Sequence, residues 1–258
     1  MAGYRLCQRI ATMLTILASC WLVACGKGSH DQTAVRIGSH EVTKRAVEHW
    51  MSVLVGFGSN GLEPGPEVPV PPEYTACIVD QREHPRQSFH QTNPTREQLK
   101  ADCEFEYRRF KLKTLYLLIS YQWVMGEARE LGVSISQAEL ARGLATFKKS
   151  VAPNEKAFQR YLHFTRATLA DIKLSVELNA LTMKVEDRIG GPVAGGGTPA
   201  QREQALIRFG KAYERKWLER TDCRPGYVVP ICRQYKRPKK APVLVPPSVP
   251  LTHMPAGG

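Results

Sequence analysis

The side chains with the most specific chemistry in this chain of 258 residues are its cysteines. Of the seven, Cys7, Cys20 and Cys25 fall in an apolar N-terminal stretch, which leaves Cys77, Cys103, Cys223 and Cys232. Four cysteines allow three pairings. Cys223 and Cys232 are nine apart around Pro225-Gly226, a turn that brings them close, and Cys77 is then left to Cys103. In an oxidising compartment such bonds contribute about 2–4 kcal/mol each. Zinc is the competing chemistry, with His84 and His90 near Cys77, but no C-x-x-C or H-x-x-x-H spacing accompanies them. No metal and no cofactor is expected. Nothing else in the sequence forms a catalytic set. G-x-S-x-G and H-E-x-x-H do not occur, and Gly195-Gly196-Gly197 lacks the preceding strand and the Lys-Ser/Thr pair of a phosphate cradle. His49 and His163 lie in helical patterns, and Glu104 and Glu106 flank Phe105 and Tyr107 on a helix surface, where satisfied or solvated side chains are the ordinary reading.

The N-terminus supplies an address. Arg5 and Arg9 precede an apolar run from Ile10 to Ala18, and Leu22-Val23-Ala24-Cys25 has the small residues of a cleavage site. That tetrapeptide resembles a bacterial lipobox, so residues 1–24 read as a signal peptide and Cys25 as the acylated first residue of the mature chain. The apolar run is short for a membrane span of ~20 residues. The expected location is extracytoplasmic, lipid-anchored to the outer face of the bacterial cell membrane, with residues 25–33 as a polar spacer. A composition of 43% hydrophobic and 23% charged residues is that of an ordinary folded domain. The formal charge of +12 implies anionic company. The address removes nucleic acid as a partner and leaves anionic lipid or wall polymer, with Lys236-Arg237-Pro238-Lys239-Lys240 as the most basic run.

The elements that would position these groups follow from periodicity. Ala34-Val35-Arg36-Ile37 alternates like a strand and Gly38-Ser39 turns it back through His40-Glu41-Val42, giving a hairpin. Thr43 caps a helix that carries Val47, Trp50 and Leu54 on one face, with Trp50 in the core. Residues 57–94, with prolines at 64, 66, 69, 71 and 72, read as an extended loop pinned by the first disulfide. Thr95 with Gln98 opens a long helix that ends at Leu131-Gly132-Val133, Ser136 with Glu139 opens the next to about Lys149, and Pro153-Asn154 restarts the chain before Phe158. Thr168 with Asp171 opens an amphipathic helix reaching Ile189, which the run 190–197 (GGPVAGGG) terminates. Thr198-Pro199 with Gln201 starts a last helix whose Leu206, Phe209, Tyr213 and Trp217 share a face. Residues 233–258 read as a basic, proline-rich disordered tail. Tyr116, Tyr121, Trp123, Met125, Phe147, Phe158, Tyr161 and Phe164 do not fit one face, and are candidates for an exposed cradle that binds polypeptide, the competing assignment for each being core.

The order of these motifs resembles the N-terminal chaperone domain of SurA and PrsA-type extracytoplasmic foldases, which is also similar to the C-terminal domain of trigger factor. The residues that carry the likeness are Val35-Arg36-Ile37-Gly38-Ser39-His40-Glu41-Val42-Thr43, Leu131-Gly132-Val133-Ser134-Ile135-Ser136, Phe158 to Leu162, and Thr168 to Ile172. The ending from Trp217 to Cys232 looks like that of lipoprotein relatives in high-GC Gram-positive bacteria. The resemblance covers residues 34–220 and implies a mainly α fold, a multi-helix domain over 34–232 with a small N-terminal β-hairpin and a returning C-terminal helix. In those foldases a parvulin prolyl isomerase domain commonly sits before the returning helix, and here that slot holds only Gly190 to Gly197. What it implies is a membrane-tethered chaperone-like lipoprotein that holds unfolded or newly exported polypeptide without catalysis. The alternatives are an isomerase by family association, and a structural surface protein binding anionic lipid or wall polymer.

Overall fold

The computed structural model describes residues 32–58, 61, 63–84, 93–191 and 198–236. The chain divides at Thr33 into two units, and the second, beginning at Ala34, contains nearly all of these residues. The lipobox and Cys25, His90, residues 192–197 of the glycine-rich bridge and residues 237–258 lie outside the described residues.

Strand β1 (Thr33–Ile37) and strand β2 (His40–Thr43) form the expected hairpin. A third strand, β3 (Thr221–Cys223), had no signature in the sequence; it pairs antiparallel with β1, Val35 opposite Cys223 and Ile37 opposite Thr221. The sheet order is therefore β2-β1-β3. Because successive side chains of a strand point to opposite faces, the burial of both Ala34 and Val35 means that β1 is covered on both.

Seven helices accompany this sheet among the described residues. Helix α1 (Lys44–Phe57) starts where the Thr43 hydroxyl accepts from the Ala46 amide at 3.1 Å, and it buries Val47, Trp50 and Val53. Helix α2 (Thr75–Glu83) corrects the reading of 57–94 as all loop. The prolines keep residues 63–72 irregular, but Glu73 to His84 contains none, and this free run is long enough for two helical turns before Pro85. Helix α3 (Arg96–Glu130) is about 52 Å long at 1.5 Å per residue. Its Thr95/Gln98 capping box is complete, and at its end the Val133 amide donates to the Ala128 carbonyl at 2.7 Å. Helix α4 (Gln137–Val151), α5 (Glu155–Thr165), α6 (Leu169–Gly190) and α7 (Pro199–Glu219) begin at the expected caps Ser136, Asn154, Thr168 and Thr198.

Packing follows the apolar faces. The second half of α3 lies between α1 and α6; α6 also carries α4 and α7, and α5 closes on α1. One core runs through Val35, Trp50, Leu115, Ile119, Phe158, Ile172 and Leu181. Burying side chains of this size contributes roughly 1.5–3 kcal/mol each. The returning α7 is held by its last turns. The Trp217 ring occupies the space over Gly126, where any Cβ would collide with it, and its indole N–H donates to Glu127 Oε2 at 2.6 Å. Glu127, almost wholly buried, also pairs with Lys216, while Glu130 takes Lys216 at 3.1 Å and Arg220 at 2.5 Å. Trp123 Nε1 donates to the Thr221 hydroxyl at 2.8 Å, so helix and strand β3 are fixed to α3 together.

Both expected disulfides are present, Cys77–Cys103 and Cys223–Cys232. The second corrects the reading of a tail disordered from residue 233. The Arg233 amide donates to Thr221 O at 2.9 Å and the Gln234 side chain bonds both the amide and the carbonyl of Cys223, so the chain stays on β3 through Gln234.

Candidate functional site

The structure separates the eight proposed cradle residues by role. Tyr116, Tyr121, Trp123, Phe158 and Tyr161 are buried in the main core, which corrects their assignment to an exposed surface. The physical reason is that three elements converge on their helices. Tyr121 meets the edge of Trp50 with ring centroids 5.8 Å apart, and Phe158 stacks on Tyr161 at 6.3 Å. Burial pushes the Tyr121 and Tyr161 phenols up to about 12, so both stay neutral at any physiological pH. Met125 and Phe147 are half-buried and pack against the same core. Phe164 is the exception: it is half-buried, and it lines an open groove.

That groove is built at the C-terminal end of α5. Its lining is Leu162, Phe164 and Ala167 from the end of the helix, Gln159, His163 and Arg166 beside them, and Pro64 with Gly65 from the proline-rich segment, around a volume of about 680 Å³. Two local devices hold the wall in place. Arg166 leaves the helix at φ 56° and turns its guanidinium back to donate to Pro66 O at 2.9 Å and Gly65 O at 3.0 Å. The segment can approach because it crosses α1 glycine to glycine: a Cβ on Gly65 would sit 2.7 Å from Gly56 Cα, closer than real Cβ contacts allow. A concave surface of this volume, in which apolar Leu162, Phe164 and Pro64 stand beside polar Gln159, His163 and Arg166, is of the size that accepts a small ligand or a short stretch of extended chain.

Sequence reasoning named Phe164 but missed the other wall. The proline-rich stretch reads by composition as a surface excursion, and its docking depends on Arg166, which looks like one basic residue among many. The spacing Gly56, Gly61, Gly65 was the available signal, since a Cβ at Gly61 would also collide with the Tyr161 ring.

Acid–base groups are organised elsewhere, and structurally. His49 Nε2 lies 3.0 Å from both carboxylate oxygens of Asp171, whose Oδ2 also accepts from the Thr168 amide and hydroxyl at 2.7 Å. Burial acts to raise the Asp171 pKa, but the Thr168 bonds and His49 outweigh it and the net direction is down. The carboxylate thus ties α1 to the first turn of α6. His84 pairs with Asp80 at 3.3 Å on the surface of α2. No group of His, Cys, Asp and Glu suited to a metal occurs among the described residues, and no helix among them is long and apolar enough to cross a membrane.

Comparison of the chain with protein-family models, with curated proteins and with solved structures finds no match.

Proposed function

We propose that this protein is a membrane-tethered, extracytoplasmic, chaperone-like lipoprotein that holds unfolded or newly exported polypeptide without turning it over. The observation that carries the reading is the groove at the end of α5, in which Phe164, Leu162 and Pro64 present apolar surface at an open, concave site. Apolar side chains kept at an opening rather than withdrawn into the core mark interaction surfaces. Two disulfides suit an oxidising compartment, and the lipobox at Cys25 supplies the tether. The order of hairpin, long helix, two shorter helices and returning helix supports the likeness to SurA and PrsA-type chaperone domains. The groove replaces the broader aromatic surface as the place where a client segment would lie.

The test is aggregation of a reduced, denatured client in the presence of the full chain. Delayed aggregation and binding of an unstructured peptide are expected, with Phe164→Asp abolishing both while leaving the fold intact, since Phe164 is outside the main core. No delay and no peptide binding by the unsubstituted protein would overturn the proposal. A proline-limited refolding assay run alongside is expected to show no acceleration; acceleration would replace holding by prolyl isomerisation.

A further inference from the structure

The charge of the folded surface is not evenly neutralised, and exposed cations without an ion pair among the described residues stand on several helices, three of them in one row on α7. On α3, Lys100 pairs with Glu73 at 3.4 Å, Arg108 with Glu104 at 2.9 Å and Arg109 with Glu106 at 3.9 Å, while the exposed Arg96 and Lys113 stand far apart on the helix with no ion pair among the described residues. On α7 the cations beside the core are likewise paired, Arg202 with Asp187 at 2.8 Å and Lys216 with Glu127 and Glu130. Arg208, Lys211 and Arg215 are all exposed, and none of them has an ion pair or hydrogen bond among the described residues. With Gln201 and Gln204 they fall within roughly 80° of arc at 3.6 residues per turn, opposite the face of Leu206, Phe209, Tyr213 and Trp217. Like charges at spacings of three and four weaken a helix rather than support it. Glu219 shares this arc, about five turns from Gln201, and Glu214 stands three residues from Lys211, yet neither forms an ion pair with Lys211 or Arg215 among the described residues. Three unpaired cations in a straight row, facing outward from a helix clamped to the body at its far side, match a flat array of negative charge better than a pocketed anion.

We infer that the outward face of α7 docks on an anionic lipid surface through Arg208, Lys211 and Arg215. This rests on the extracytoplasmic location proposed above but not on the groove. The surface is separate from the α5 groove, so polypeptide holding and lipid docking can fail independently. Attraction of this kind acts over about 8 Å at physiological ionic strength, so the face must lie nearly against the headgroups. In sequence, the basic run that begins at Lys236 follows the segment pinned to β3.

The experiment is co-sedimentation of the full chain carrying Cys25→Ser, which removes acylation, with vesicles of phosphatidylcholine alone or with phosphatidylglycerol added. The difference between the two vesicle types isolates the electrostatic part, whatever the leader contributes to both. Binding to anionic vesicles should be stronger and should collapse at high salt. Combined Arg208→Gln, Lys211→Gln and Arg215→Gln should lower it by about fivefold per residue, on the order of a hundredfold together, with unchanged thermal unfolding. A second variant, with Gln at positions 236, 237, 239 and 240, separates the helix from the tail. If the triple variant binds as the parent does, or only the tail variant loses binding, or soluble polyphosphate binds while anionic vesicles do not, the inference is overturned. Loss of vesicle binding with client holding retained supports it and leaves the groove reading untouched.

Discussion

Two regions of this molecule are held together by different physics. The body, in which α1, the second half of α3, α5, α6, α7 and β1 all contribute buried side chains, shares one continuous core. The arm, formed by α2 and the first turns of α3, has a separate small core of Tyr74, Cys77, Ile78, Leu99 and Cys103, with Tyr107 packed against it. In the body many apolar side chains offset the entropy of ordering, and the buried carboxylate of Glu127 is satisfied by Trp217 and Lys216 on another helix. In the arm five side chains are too few to hold a helix of nine residues in place, and the Cys77–Cys103 bond closes a separation of 26 residues to do so. Closing a loop of that length is worth about 3 kcal/mol in the unfolded chain. A disulfide of the same chemistry at Cys223–Cys232 spans only nine residues and sits against the main core, where it pins the chain that leaves β3.

The largest effect should come from the body. Trp217→Ala removes a buried ring from beside Gly126 and takes one donor from the buried Glu127. Losses for buried Trp are about 3–5 kcal/mol, so denaturant unfolding should shift to much lower concentration in one cooperative step. A shift of less than a quarter of that would mean α7 is not part of the body. Next in size is the paired substitution Cys77→Ala with Cys103→Ala, about 2–4 kcal/mol, and here the location matters more than the amount. Hydrogen exchange should rise over residues 74–107 while α6 and β1 keep their protection. Equal loss throughout would abolish the distinction between arm and body.

The smallest effect probes a polar clamp of the body. Asp171→Ala should cost about 1 kcal/mol, since it removes the reciprocal half of the Thr168 cap and the His49 contact. Because the folded pKa of Asp171 lies below its ordinary value, its contribution is present above the unfolded pKa near 4 and fades as pH falls through the lower folded value. Urea midpoints of parent and variant should therefore differ at neutral pH and converge in strong acid. A gap that persists there would assign the loss to packing instead.

Much of this architecture was legible in local chemistry. Thr95, Ser136, Thr168 and Thr198 each stand three residues before a Gln, Glu or Asp, and a capping box is complete within four residues, so it needs no information from elsewhere in the chain. The disulfide pairs could be read for a related reason, since only one short turn joins two of the four cysteines. The eight aromatic and methionine candidates could not be sorted, because whether Tyr121 or Phe164 meets solvent depends on which other helices arrive at its surface. Helix α2 was hidden by the prolines on both sides of it.

What the sequence determined by itself is therefore where six of the seven described helices start, which sulfurs pair, and that the chain carries an excess of positive charge. Those properties reside in short stretches of residues. Tertiary structure alone decided that Thr221–Cys223 would complete the sheet beside β1, that Gly56 and Gly65 would bring the proline-rich segment against α5 to form a groove, and that Arg208, Lys211 and Arg215 would be left without partners among the described residues. Each of these is a contact, or a missing contact, between residues far apart in the chain, and it is fixed only when the packing of the whole body chooses the faces that turn inward.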